Sequence, residues 1–198
     1  MRKLIVAALL ATPLIASANL LTNGSFEADL QAAGSWSIYP NLTGWTGGQA
    51  GIELRNNVAG AAYDGVNFVE LDTTSNSLMA QAVGTSLGAS YNLSFAYSAR
   101  EGVPLGSNGI EVFWNGVSQG VFDAAGAPAG HNWNVFNLLV SGAAGSSTLQ
   151  FVGVGTSDSL GGSIDAVALN TAVPEPETYA LMLAGLGIIG FVARRRKA

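Results

Sequence analysis

Hydrophobic and polar residues alternate with a period of two along much of the chain, and clusters of Gly, Ser and Asn punctuate the alternation. Tyr91, Leu93, Phe95 and Tyr97 interleave with Asn92, Ser94, Ala96 and Ser98, the pattern of a strand with one buried face. Ile110-Glu111-Val112-Phe113-Trp114 runs into Asn115-Gly116 and then Val117-Ser118-Gln119-Gly120-Val121-Phe122. Asn-Gly accepts the positive φ angles of a two-residue turn, so a β-hairpin is predicted here. Further strands are predicted over 67–71, 78–83, 133–140, 148–154 and 163–169. No internal repeat is visible, and between the two ends no segment holds a helical period for long. The body, residues 19–172, is therefore expected to be one all-β domain, a sandwich or jelly roll.

The two ends break this pattern. Residues 1–18 join a positive start (Arg2, Lys3) to an apolar run and the small-residue sequence Ala16-Ser17-Ala18. That order is the mark of a secretory signal peptide, with the mature chain expected to begin at Asn19. At the other end, Val173-Pro174-Glu175-Pro176-Glu177 precedes an apolar stretch over 179–193 and the basic tail Arg194-Arg195-Arg196-Lys197. Alternate prolines favour an extended spacer, and the stretch behind them is predicted to be a short transmembrane helix. It would span roughly 22 Å, against a hydrocarbon core of about 30 Å, with Tyr179 and snorkelling arginines making up part of the gap. The basic cluster is expected to stay cytoplasmic, placing the body outside.

Charge narrows the function classes. Of the 8 Lys and Arg residues six lie at the ends, so residues 19–172 hold only Arg55 and Arg100 against eleven Asp and Glu. Such a body repels phosphate backbones, which excludes nucleic acid as a partner. The absence of Cys rules out disulfides and cysteine-ligated metals, and a single His, His131, rules out a multi-histidine centre. No Gly-x-Ser-x-Gly elbow is present, and no residue is assigned a catalytic role. Glu70-Leu71-Asp72 would place two acids on one strand face, read as an ordinary solvent face. Arg55 and Arg100 are each expected to pair with a carboxylate. Trp45 is assigned to the core, with Trp114 beside Ile110 and Val112.

The C-terminal order of Pro174-Glu175-Pro176, apolar helix and Arg194-Arg195-Arg196 resembles the PEP-CTERM sorting signal of exported bacterial proteins, over 173–198. The resemblance implies recognition of Pro174, Glu175 and Pro176 by an exosortase-type membrane protease, with the arginines as the stop. It also implies an inner-membrane intermediate, then transfer to the surface or matrix, commonly alongside exopolysaccharide and biofilm.

The body carries a second resemblance. Asn19-Leu20-Leu21-Thr22-Asn23-Gly24-Ser25-Phe26-Glu27 looks like the opening strand of carbohydrate-binding modules with the galactose-binding-like jelly-roll fold. Gly44-Trp45 and the closing Ile164-Asp165-Ala166-Val167-Ala168-Leu169 extend the likeness, although family members often have a second acid where this chain has Ala166. The resemblance implies a structural calcium carried over to Glu27 and Asp165; the alternative is that both acids are solvated or capped by backbone amides. It also implies a glycan-binding face of flat aromatic rings and polar groups. The candidates are Trp36, Tyr39, Tyr63 and Trp133, with Arg100 as a polar contact. The expected function is that of an exported surface or matrix protein associating with exopolysaccharide or another glycan. The alternatives are a structural matrix protein without a specific ligand and a polysaccharide-active glycosidase.

Overall fold

The structure, a computed structural model, describes residues 18–172 and Leu186. The expectations for the leader and for the PEP spacer, membrane helix and basic tail fall almost wholly outside these residues. Among the described residues no helix is long and apolar enough to cross a membrane.

Residues 18–172 contain strands and no helix. The strands are β1 (Trp36–Tyr39), β2 (Asn41–Leu42), β3 (Trp45–Gly47), β4 (Ile52–Asn56), β5 (Asn67–Glu70), β6 (Leu78–Thr85), β7 (Ser90–Ser98), β8 (Gly109–Trp114), β9 (Val117–Phe122), β10 (Asn134–Ser141), β11 (Gly145–Val154) and β12 (Ser163–Thr171). They form two six-stranded sheets: a front sheet β1-β4-β5-β12-β7-β10 and a back sheet β2-β3-β6-β11-β8-β9. Every assigned pairing is antiparallel. The all-β sandwich expected from alternation is the observed architecture.

Period two decides which side chains enter the core. The front sheet sends in Ile52, Leu54, Val69, Leu93, Phe95, Tyr97 and Ile164; the back sheet sends in Met79, Val83, Ile110, Val112, Trp114, Leu149 and Phe151. Trp45 and Trp114 are buried as expected. Their indole N–H groups donate to backbone carbonyls, Trp45 to Asn23 at 3.1 Å and Trp114 to Ser141 at 2.7 Å, which removes the cost of burying them. The β8–β9 hairpin turns at Asn115 (φ 52°) and Gly116 (φ 76°), as its sequence predicts.

Residues 19–27 correct the reading of an opening strand. No strand forms there; the segment turns, with Asn23 and Phe26 at positive φ. It still seals the sandwich. Leu20 N–H donates to the Leu169 carbonyl at 2.8 Å, and Phe26 is fully buried against Trp45, ring centroids 5.8 Å apart. Gly24 is required because a Cβ would overlap the Val167 carbonyl. The strands β1 to β4 carried no recognised sequence signal, since each is short and β4, Ile-Glu-Leu-Arg-Asn, is buried at every position.

Candidate functional site

Residues paired across strands share a face, so the register locates the outer surface of the front sheet. Trp36 faces Arg55, which faces Phe68; Ile38 faces Glu53, which faces Glu70, then Ser163 and Ser98. None of these outward residues belongs to the inter-sheet core, yet Glu53, Arg55, Phe68, Glu70, Ser98 and Ser163 are all buried. Loops lie over them.

Ion pairing fills one half of this face. Arg55 reaches Glu53 through Nε and Glu70 through Nη1, both at 2.8 Å, and Arg100 Nη1 reaches the other Glu70 oxygen at 2.9 Å. Glu70 also accepts the Gly161 N–H at 3.0 Å. Each arginine does pair with a carboxylate, and both converge on Glu70. Burial pushes the Glu70 carboxyl up to about 7 against the opposing pull of the two guanidinium groups. Glu101, next to Arg100 in sequence, instead accepts the Gly130 N–H. The solvent-face reading of Glu70-Leu71-Asp72 is therefore corrected: Glu70 is 0% and Asp72 1% exposed. Asp72 Oδ2 gathers the N–H groups of Asp158 (2.8 Å), Ser159 (2.9 Å) and Leu160 (3.4 Å), tying down the loop that closes over Glu70.

Aromatic packing fills the other half. Phe68 meets His131 at 4.7 Å and Trp133 at 5.7 Å, both edge-on, and Trp133 meets Tyr63 at 6.3 Å. Burial in this stack lowers the His131 imidazole to about 4, so it is neutral at physiological pH. Its Nδ1 lies 3.2 Å from Ser98 Oγ, while His131 Nε2 and Ser163 Oγ are buried without hydrogen-bond partners among the described residues. Trp133 donates its indole N–H to Ala61 at 3.0 Å, pinning the 57–66 loop above the sheet. At the rim two rings reach solvent, Trp36 on β1 and Tyr63 on the loop, each 50% exposed. Strands β1 and β5 stand two spacings apart, so Trp36 lies about 10 Å across the sheet from Phe68, on which the stack is built.

Of the expected glycan contacts, Tyr63 and Trp133 touch and Trp36 shares their face. Tyr39 does not join them. It faces Ile52, packs against the core and gives its hydroxyl to Gln31 at 3.0 Å. Arg100 is committed to Glu70 and to the Ser159 carbonyl at 3.1 Å. Phe68, His131 and Glu70 were not singled out as site residues. Their signal was parity: Phe68 and Glu70 alternate with the core residues Val69 and Leu71.

Glu27 and Asp165 are both turned toward the 57–66 loop and its exit into β5. Glu27 Oε1 accepts from Val66 at 2.8 Å and Asn67 at 2.7 Å. Asp165 Oδ2 accepts from Tyr63 at 2.8 Å and Asp64 at 2.9 Å, and Oδ1 from Ala166 at 2.6 Å. Burial lifts the Asp165 carboxyl to about 7, with the amides of Asp64, Ala166 and Tyr63 pulling it down. Five N–H donors directed at two carboxylates make an anion-shaped arrangement, which does not fit a calcium ion bound between them. Among the described residues no group of three His, Cys, Asp or Glu is placed to hold a metal ion. Ala166, where the likeness expects a second acid, sits at φ 47° in a bulge of β12.

The back sheet presents a different surface. Thr46, Ala80, Gln150, Phe113 and Ser118 form one outward row, and Leu78, Val152, Glu111 and Val121 the next. A cleft of about 600 Å³ opens at one end, floored by Leu78 and Val152 between the 48–50 and 74–77 loops. It contains no aromatic and no charged residue.

Comparison with known proteins adds to this picture. Residues 172–197 match the PEP-CTERM protein-sorting motif. The chain is 33% identical over 150 residues to a multifunctional-autoprocessing repeats-in-toxin protein of Vibrio cholerae, an alignment covering 75% of this chain and 3% of that one. A family 35 carbohydrate-binding module from Clostridium thermocellum aligns at 17% identity and TM-score 0.48, over 70% of this chain and 99% of the module. A CBM61 module in complex with β-1,4-galactotriose aligns at 19% identity and TM-score 0.46, over 78% and 99%. This protein thus joins an all-β sandwich to a C-terminal PEP-CTERM protein-sorting motif.

Proposed function

We propose that this is an exported protein, sorted through its PEP-CTERM tail, whose body is a galactose-binding-like jelly roll that binds glycan on the outer face of the front sheet. One observation carries the binding half. Trp36 and Tyr63, each half-exposed, stand on one face with Trp133, and Trp133 is braced from below by Phe68 and His131. Trp133 held by its neighbours, with Trp36 and Tyr63 open to solvent, offers flat rings that suit the apolar faces of pyranoses. Affinity electrophoresis of the full chain in polysaccharide gels tests this. Retention should fall at least tenfold in Trp36→Ala and Tyr63→Ala; unchanged retention in both variants overturns the assignment of this face.

The sorting half rests on the motif at 172–197. In this reading residues 1–18 direct export, and the 179–193 helix with its basic tail holds an inner-membrane intermediate. An exosortase-type protease then acts near Pro174-Glu175-Pro176, releasing the body to the surface or matrix and its exopolysaccharide. Intact mass of the protein from membrane and extracellular fractions is the test. Loss of both ends from the extracellular form supports the route, and a full-length species confined to the inner membrane contradicts it.

A further inference from the structure

The glycan-binding proposal leaves open which class of glycan the front face takes. We infer that it takes uncharged glycans and rejects uronate, sulfate and phosphate groups, an inference that rests on the glycan-binding reading of this face. Recognition of an anionic sugar requires a cation or a set of unfilled N–H donors. The body has two cations, and on this face both are paired with Glu70. Arg55 is buried between Glu53 and Glu70, and Arg100 gives Nη1 to Glu70 and the Ser159 carbonyl.

The N–H donors are spent as well. Tyr63 and Asp64, in the loop that carries an exposed ring, point at Asp165; Val66 and Asn67 point at Glu27. Asp158, Ser159 and Leu160 point at Asp72, Gly161 at Glu70 and Gly130 at Glu101. Each of these clusters of N–H groups, which would otherwise cradle a foreign anion, is filled by the protein's own carboxylate. Eleven acids against two cations in the body add a long-range repulsion for polyanions at low salt. What remains at the rim holds no cation: the rings of Trp36, Tyr63 and Trp133, and the exposed acid Asp64.

Affinity electrophoresis of the full chain, with EDTA present, separates the outcomes. The neutral gels hold β-1,4-galactan, mannan, xylan or β-glucan, and the anionic gels polygalacturonate, alginate or chondroitin sulfate. The expected result is retention in at least one neutral gel, unchanged between 10 and 300 mM NaCl, with none in the anionic gels. Glu70→Gln, which releases the Nη1 groups of both arginines from a charged partner, should gain retention on polygalacturonate at low salt by several-fold. Wild-type retention in an anionic gel, or retention that falls steeply with salt, overturns the inference while leaving glycan binding standing. Retention in no gel overturns glycan binding itself and this inference with it. The salt series on the wild type decides the matter even where Glu70→Gln fails to fold.

Discussion

The outer faces of the two sheets are built from the same alternating pattern and end in different environments. Along β11 in the back sheet, exposed and buried positions alternate as period two requires of a strand with one wet side. Along β4 and β5 in the front sheet every residue is buried, although Glu53, Arg55 and Glu70 occupy the outward positions. The difference comes from the loops at 57–66, 130–133 and 157–161, which fold over the front sheet. Carboxylates hold them there: Asp165 and Glu27 hold the first, Glu101 the second and Asp72 the third. A body with many acids and no lysine is thus explained without an external cation. Its acids satisfy loop N–H groups that the ladders leave unpaired.

Removing Glu70 should disturb this arrangement most. Glu70→Ala removes the carboxylate that two guanidinium groups share, leaving the enclosed Arg55 with Glu53 alone, and is expected to cost about 3–5 kcal/mol in urea unfolding. Glu111, on the exposed face of the back sheet with a single bond to Ser118 at 2.6 Å, should cost under about 0.5 kcal/mol when replaced by Ala. Equal losses in the two variants would erase the distinction between the faces. Asp165→Ala orphans three N–H groups, with an expected cost of about 1–3 kcal/mol and faster hydrogen exchange confined to the Tyr63 and Asp64 region.

The His131 stack adds a pH signature. Its imidazole, held near 4 in the fold against about 6.5 when unfolded, binds fewer protons in the native state between those values. This contribution to stability is present above about 6.5 and is lost as pH falls toward about 4. Asp165 and Glu70, both raised to about 7, act in the opposite sense, favouring the fold at low pH and weakening it as pH rises through about 7. Replacing His131→Gln removes only the first effect, so the variant should lose less stability than wild type between pH 6.5 and 4. A wild-type loss no greater than the variant's would place His131 outside the stack.

Two smaller effects concern the loop clamps and the β12 bulge. EDTA should leave the melting midpoint unchanged, since the Glu27 and Asp165 arrangement needs no cation; a drop on chelation, reversed by calcium, would contradict that. Ala166→Gly relieves a left-handed backbone position and should stabilise by about 0.5 kcal/mol in the same urea assay.

Much of the sandwich was legible because Tyr91 to Tyr97 and the Asn115-Gly116 hairpin obey local rules that tertiary structure left intact. The site was legible in part. Trp36 and Trp133, like Tyr39, could be picked out by their polar surroundings, and Tyr63 by its place beside Asp64. Tyr39 was wrongly grouped with Trp36, because a separation of three along an unrecognised strand puts two side chains on opposite faces. Burial of Glu70 and Asp72 was not legible at all. Alternation reports which side a residue faces, while the cover on that side comes from loops tens of residues away in sequence.

The chain's four tryptophans give the most direct measurement. Their indole N–H signals in a proton–nitrogen spectrum divide into two core probes, Trp45 and Trp114, and two front-face probes, Trp36 and Trp133. Titration with whichever neutral oligosaccharide matches the retaining gel should shift Trp36 and Trp133 and leave Trp45 and Trp114 in place. Shifts confined to residues around Leu78 and Val152, with all four indoles still, would move the binding site to the back sheet and refute the front-face assignment.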